Sequence, residues 1–319
     1  GKEGEKASEY ISPHSAVAIG ASAGELNAHG NTEIVAVGYQ SMYNAPQSND
    51  TVAIGSQSAA YANETKQSVY IGKLAGWADK EAQMNIGIGY LARNQHTGTW
   101  SSSSNQSNIA VGAYSQHANH HHSSKNVTGN VSIGVMSHMN IGATQDNVAI
   151  GNLSSSHFGS KSSFSNFTRG NVAVGYQTMY TANTMISSIA IGDEAGYSGQ
   201  NSYHDIMIGY KAAYQGGLWQ PENAITNGEN IGIGKQVMYY ASGSSEVIAI
   251  GKNAGYEMGR PYGFGALNSG HSKAWKPSQT SVLIGSEAGH SLRGGNDDII
   301  IGTKAGYSAQ TSNGKNIFM

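Results

Sequence analysis

Residues 171–180 read NVAVGYQTMY, and residues 34–43 read IVAVGYQSMY. In both, a Val stands immediately before a glycine, another stands three places before it, and a more variable residue lies between them. Alternation with period two predicts a short β-strand whose two branched residues share one face. Full burial of that pair is the expectation, since each buried Val or Ile contributes about 1.5–3 kcal/mol.

The motif recurs along the whole chain of 319 residues. It closes at Gly20, Gly38, Gly55, Gly72, Gly89, Gly112, Gly134, Gly151, Gly175, Gly192, Gly209, Gly234, Gly251, Gly285 and Gly302, fifteen copies in all. A sixteenth begins at Asn316 and stops at Met319, just before its glycine. The commonest spacing is 17 residues, and the gaps of 22 to 25 read as the same unit with insertions of 5 to 8 residues. The 34-residue gap from Gly251 to Gly285 is either two units with one motif degraded or one unit carrying a 17-residue loop.

Seventeen residues are too few for a strand, a packed helix and two loops. They suit one rung of an all-β solenoid or β-roll, with identical positions stacked at about 4.8 Å. About 16 such rungs would make a rod of roughly 77 Å. On this reading residues 1–12 connect to an upstream part, and residues 13–319 form a single β-solenoid repeat domain, truncated in its last repeat.

The remaining positions of the rung have their own chemistry. Four residues before the glycine the side chain is usually polar, as in Asn85, Asn108, Asn130, Asn147, Asn171 and Asn230, and such a side chain can bond a neighbouring backbone group. The glycine itself implies a positive φ or a tight approach to the next layer. Five residues after it an aromatic recurs at Tyr43, Trp77, Tyr180, Tyr197, Tyr214, Tyr239, Tyr256 and Tyr307, which reads as a stacking ladder. With so few apolar residues per rung a lone solenoid would be thin, so a homotrimer is expected.

Composition narrows the function. The chain has 43 glycines, no cysteine and 12% charged residues, about half the usual charged fraction. That is a poor composition for an ordinary helical or α/β enzyme. A formal charge of −2 gives no electrostatic footprint for nucleic acid or an anionic membrane surface. Without cysteine there are no disulfides, thiolate metal sites or cysteine nucleophiles. No apolar run is long enough for a transmembrane helix, and no signal peptide is read, so the chain reads as a soluble piece of something longer.

Insertions at about 95–107, 118–129, 157–170, 215–229 and 257–280 differ in composition from the rungs, and aromatics gather in them. Loops on a rigid scaffold are where binding residues usually sit. The receptor-binding candidates are Trp100, Phe158, Trp219, Tyr262, Phe264 and Trp275, the last three beside Arg260 and Lys276. Anchoring these loops to the solenoid or between chains is the plainer role for the same aromatics. The run His120, His121 and His122, with His117 nearby, invites a metal, but adjacent histidines point apart and no carboxylate pair accompanies them. No metal and no cofactor is expected.

Other chemistries fail on context. The G-x-G matches Gly87/Gly89 and Gly232/Gly234 fall within strands with no helix after them, so they are not nucleotide fingerprints. The adjacent carboxylates Asp193/Glu194 and Asp297/Asp298 sit at ordinary rung positions rather than as the separated pair a glycosidase needs.

A strand read as N-V-A-I-G, followed by a small residue and then A-G-Y or M-Y, resembles two related groups. One is the left-handed β-roll head of trimeric autotransporter adhesins of the YadA type. The other, closer in period and in its tyrosine, is the repeat of phage and large-virus tail-fibre proteins. NVAVGYQTMY and IVAVGYQSMY resemble that second group, and DIIIGTKAGYSAQTSNGKNIFM at 298–319 resembles its usual end. The resemblance runs from Val17 to Met319 and implies a left-handed solenoid assembled as a homotrimer. It further implies a structural, non-enzymatic host-attachment fibre segment on a virion surface, contacting a cell-surface glycan or protein receptor. The alternatives are a trimeric adhesin head on a bacterial surface and, further off, a polysaccharide depolymerase or an ice-binding solenoid.

Overall fold

The computed structural model describes residues 16–25, 32–79, 81–94, 105–117, 127–139, 144–156, 168–181, 183–214, 227–241, 244–258, 279–294, 296–309 and 315–319. The described residues are all-β, without helix. Two compact units divide the chain, Gly1–Ile141 and Gly142–Met319.

In the first unit the motif strands are Val17–Ile19, Val35–Val37, Val52–Ile54, Val69–Ile71, Ile86–Ile88, Ile109–Val111 and Val131–Ile133, each paired in parallel with the next. In the second they are Val148–Ile150, Val172–Val174, Ile189–Ile191, Ile206–Ile208, Ile231–Ile233, Ile248–Ile250, Val282–Ile284, Ile299–Ile301 and Ile317–Phe318, again parallel and in order. The register aligns motif with motif: Val35 faces Val52, and Ile189 faces Ile206. Each unit is thus a β-solenoid. Ile248 faces Val282 directly, and Ser245 bridges to Gln279. The 34-residue gap is therefore one rung with an insertion, the second of the two readings.

A second parallel sheet, absent from the sequence reading, supports the first. It runs through Ala82–Gln83, Asn105–Gln106 and Val127–Thr128 in the first unit. In the second it runs through Thr144–Gln145, Thr168–Arg169, Asn183–Ile186, Gln200–Tyr203 and Asn227–Gly228. Its strands are two to four residues long and mostly polar, so no alternation of hydrophobicity announces them.

The interior is the reverse of the expectation. In Val52–Ile54 and Ile189–Ile191 the middle residue is buried, the first is half-buried and the Ile before the glycine is exposed. The middle residue is buried in every motif strand from Val35–Val37 to Ile299–Ile301. Full burial of the Val/Ile pair within one chain is overturned. The space between two such short sheets is narrow, and the turn residues also fill it. The middle residue, Ala in seven of these fourteen strands, shares that space with second-sheet residues such as Ala82 and Met185, and the pleat sends both branched neighbours outside.

Interior volume is shared between the strand's middle residue and the residue six places later. Tyr70 is matched by Gly76, Leu283 by Gly289 and Ile300 by Gly306, while Gly87 is matched by Arg93 and Gly232 by Met238. A Cβ on Gly76 would lie 2.2 Å from Cδ1 of Tyr70, so the large ring and the missing side chain are one feature. In the second unit this filling gives an apolar core with Met179, Met185, Met207, Met238, Met258, Leu283, Leu292 and Ile300.

Two devices hold successive rungs together. The motif glycines form columns: Gly192 has φ +126, and a Cβ there would stand 2.6 Å from the carbonyl oxygen of Gly209. The polar residues before the strands form buried ladders. Asn108 donates its backbone N–H and its Nδ2 to Asn85 Oδ1 at 2.9 and 3.2 Å, and Asn130 does the same to Asn108 at 3.1 Å for both bonds. Turn residues adopt left-handed backbone, as at Gln57, Ala59 and Gln67 (φ +54, +50 and +52). Their N–H groups reach carbonyls of adjacent rungs, Gln57 to Tyr39 at 2.8 Å and Ala59 to Ala75 at 2.8 Å.

Candidate functional site

The six residues read from sequence as receptor contacts, Trp100, Phe158, Trp219, Tyr262, Phe264 and Trp275, all lie outside the described residues, as do His120, His121 and His122. His117 is described. It is buried, with Tyr114 edge-on at 5.6 Å. Among the described residues no group of three or more His, Cys, Asp or Glu side chains is placed to hold a metal ion. No described helix is long and apolar enough to cross a membrane.

The rungs themselves present three outer columns. The first is aliphatic, formed by the outward Val and Ile of each strand. In the first unit Ile54, Ile71 and Ile88 are 37–38% exposed, and in the second Ile150, Ile191, Ile233, Ile250 and Ile284 are 37–39% exposed. Regular half-exposure of large aliphatic side chains on consecutive strands makes a continuous apolar face, which on an isolated protein marks an interaction surface.

The second column is aromatic and belongs to the second unit. Tyr180, Tyr197, Tyr214, Tyr239, Tyr256, His290 and Tyr307 stack in sequence, with ring centroids 4.6–5.3 Å apart and planes within 10–25° of parallel. Burial in the stack, followed by the neighbouring Tyr240, pushes the Tyr239 phenol up to about 12. Burial also lowers the pKa of His290, against the pull of Glu257 and Glu287. The first unit has no such ladder among its described residues. Tyr61 stands six residues after its glycine rather than five, and meets Tyr43 and Trp77 edge-on at 6.1 and 5.7 Å.

The third column is the residue after the glycine. It carries the exposed rings Tyr39 and Tyr90 in the first unit and Tyr176 and Tyr210 in the second. Beside Tyr210 lie two ammonium groups, Lys211 Nζ at 5.3 Å and Lys235 Nζ at 5.6 Å from the ring centre. Lys211 is also 5.0 Å from the Tyr214 ring and 3.6 Å from Glu194. Of the four carboxylates noted in the sequence, Glu194 and Asp298 have structural partners. Glu194 pairs with Lys211, and buried Asp298 accepts from Asn316 N and Nδ2, both at 2.9 Å.

Sequence reading missed a buried polar chain inside the first unit. Arg93 donates to both carboxylate oxygens of Asp79 at 3.0 Å and to Gln116 Oε1 at 2.9 Å, and Tyr70 donates to Asp79 at 2.7 Å. Gln116 Nε2 continues to Ser132 Oγ at 3.0 Å, which lies 2.7 Å from His138 Nδ1. Burial lowers the His138 pKa to about 4. The one available signal was the loss of Ala at the strand centre in successive rungs: Tyr70, Gly87 and later Ser132. These groups are closed to solvent, so they hold the interior rather than present chemistry outside.

A scan against family models finds no match to the chain, and a search of curated proteins finds no significant relative.

Proposed function

We propose that the chain is a structural, non-enzymatic host-attachment segment of a virus or phage fibre, a left-handed solenoid working as a homotrimer on the virion surface. One observation carries the assembly: the outward Val/Ile column of each unit. A strand residue such as Ile191 or Ile233, more than a third exposed in a single chain, gains its hydrophobic stabilisation when another copy covers it. A trimer also explains why the Val/Ile positions stay branched and apolar in all fifteen complete copies although they do not fill the chain's own interior. Parallel ladders, glycine columns and stacked rings give a stiff scaffold, and the inserted loops with Trp219 and Trp275 are the parts free to vary and to contact a host glycan or protein. The repeat resemblance to tail fibres supports the same reading.

The test is a host-cell or glycan-array binding assay with the assembled chain and its Trp219→Ala and Trp275→Ala variants. Loss of binding in either variant, with assembly intact, is the expected result. Full binding by both would remove recognition from these loops.

A further inference from the structure

Two neighbouring rungs of the second unit carry opposite charges at the two ends of the same aliphatic strand. Strand Ile231–Ile233 has Glu229 two residues before it and Lys235 two residues after it, and strand Ile248–Ile250 has Glu246 and Lys252 in the same places. Ile231 faces Ile248, and Ile233 faces Ile250. Backbone bonds carry that alignment to both ends, Glu246 N–H to the Gly228 carbonyl at 3.1 Å and Asn253 N–H to the Lys235 carbonyl at 3.0 Å. Two carboxylates therefore sit together at one edge of the aliphatic face, and two ammonium groups at the other.

All four side chains are exposed. The ion pairs among the described residues are Arg93–Asp79, Arg169–Asp146, Lys211–Glu194 and Lys304–Glu287, and none includes any of the four. Like charges on adjacent strands in register repel, so the single chain holds one repulsion at each edge.

We propose that these residues form the electrostatic seam between copies of the chain, Lys235 and Lys252 of one copy meeting Glu229 and Glu246 of the next. This rests on the homotrimer reading. In a closed ring around the aliphatic face the strands run head to tail, so the downstream edge of one copy meets the upstream edge of its neighbour, a heterologous interface. Both pairs form only when the copies are level. A slip of one rung in one direction puts Lys235 against Glu246 and leaves Lys252 facing Thr280. A slip in the other direction puts Lys252 against Glu229 and leaves Lys235 facing His204. Val/Ile columns are nearly the same at every rung and cannot choose a register, whereas this seam can.

The test uses chain 1–319 and sedimentation velocity over a range of concentrations at low salt. Lys235→Glu with Lys252→Glu places like charges across the seam. Adding Glu229→Lys and Glu246→Lys restores opposite charges with the polarity reversed. The double variant is expected to need at least about tenfold more protein for half-assembly, and the fourfold variant to return to within about threefold of the parent. A trimeric parent whose double variant assembles at the same concentration overturns the seam and leaves the trimer standing. A monomeric parent overturns the trimer reading, and the seam with it.

Discussion

Replacing Gly192 by Ala perturbs one link of the glycine column without touching any side-chain contact. A Cβ at Gly192 would stand 2.6 Å from the oxygen and 2.8 Å from the carbon of the Gly209 carbonyl. Reaching even 3.0 Å requires the next rung to move by about 0.4 Å. The bonds that would stretch are Gly209 N–H to the Ile191 carbonyl at 2.8 Å and Lys211 N–H to the Asp193 carbonyl at 2.9 Å. The backbone adds to this, because φ of +126 suits glycine alone and costs another residue about 1–3 kcal/mol. With about 0.5–1.5 kcal/mol for each weakened bond, Gly192→Ala should destabilise the fold by about 2–6 kcal/mol.

The control is Gly170→Ala. Gly170 has φ +67, and its nearest neighbour to a new Cβ, Ser187 Oγ, is at 3.5 Å. Ser187 holds the equivalent position at φ +54 with a side chain. The left-handed strain of about 1–2 kcal/mol is partly offset by the stiffer unfolded chain, so the net cost is about 1 kcal/mol or less. Urea denaturation followed by far-ultraviolet circular dichroism, at matched protein concentration, gives both values. A difference of less than about 1 kcal/mol between the two variants would refute the steric argument for the column.

Two further perturbations probe the first unit's interior. His138 has a folded pKa of about 4 against about 6.5 in the unfolded chain. Its contribution is therefore complete above pH 6.5 and is lost as pH falls toward 4, by about 2 kcal/mol at pH 5. His138→Gln should flatten that part of the stability curve between pH 8 and pH 5, and an unchanged slope would remove His138 as its source. Arg93→Met strands the buried Asp79 carboxylate and should cost about 3–5 kcal/mol, while Arg93→Met with Asp79→Leu should recover most of it. Methionine suits the site, since Met42, Met179 and Met238 hold the corresponding left-handed position at φ +49 to +50. Equal stability of the single and double variants would contradict the pairing argument.

The repeat was legible in the sequence because alignment on Gly20 to Gly302 exposes positions that must be the same in every rung. It located the motif strands, and it led to the stacked tyrosines of the second unit. What it concealed was which face of the strand is inside. Alternation reports that two faces differ, and Val and Ile are the usual inward residues, but here Ala53 and Ala190 face in while Ile54 and Ile191 face out. The reason is width: the interior is narrow, and the strand's middle residue shares it with the residue six places later. The second sheet was hidden because its backbone pairing needs no apolar pattern, as Lys66 bridging to Asn49 and Gln83 demonstrates. The matching of Gly87 with Arg93 or Gly76 with Tyr70 was present as a spacing of six, but it becomes readable only once both positions are known to point inward. The inserted aromatic candidates lie in segments of sequence that do not follow the repeat.

The central claim is that the outward Val/Ile column is buried between copies of the chain, and molar mass in solution tests it most directly. Light scattering on chain 1–319, of mass 33.3 kDa, should give three times that value, and Ile191→Asp with Ile233→Asp should reduce it to a single chain. A parent that stays at 33.3 kDa at tens of micromolar, folded and with its aliphatic column facing water, would contradict the account.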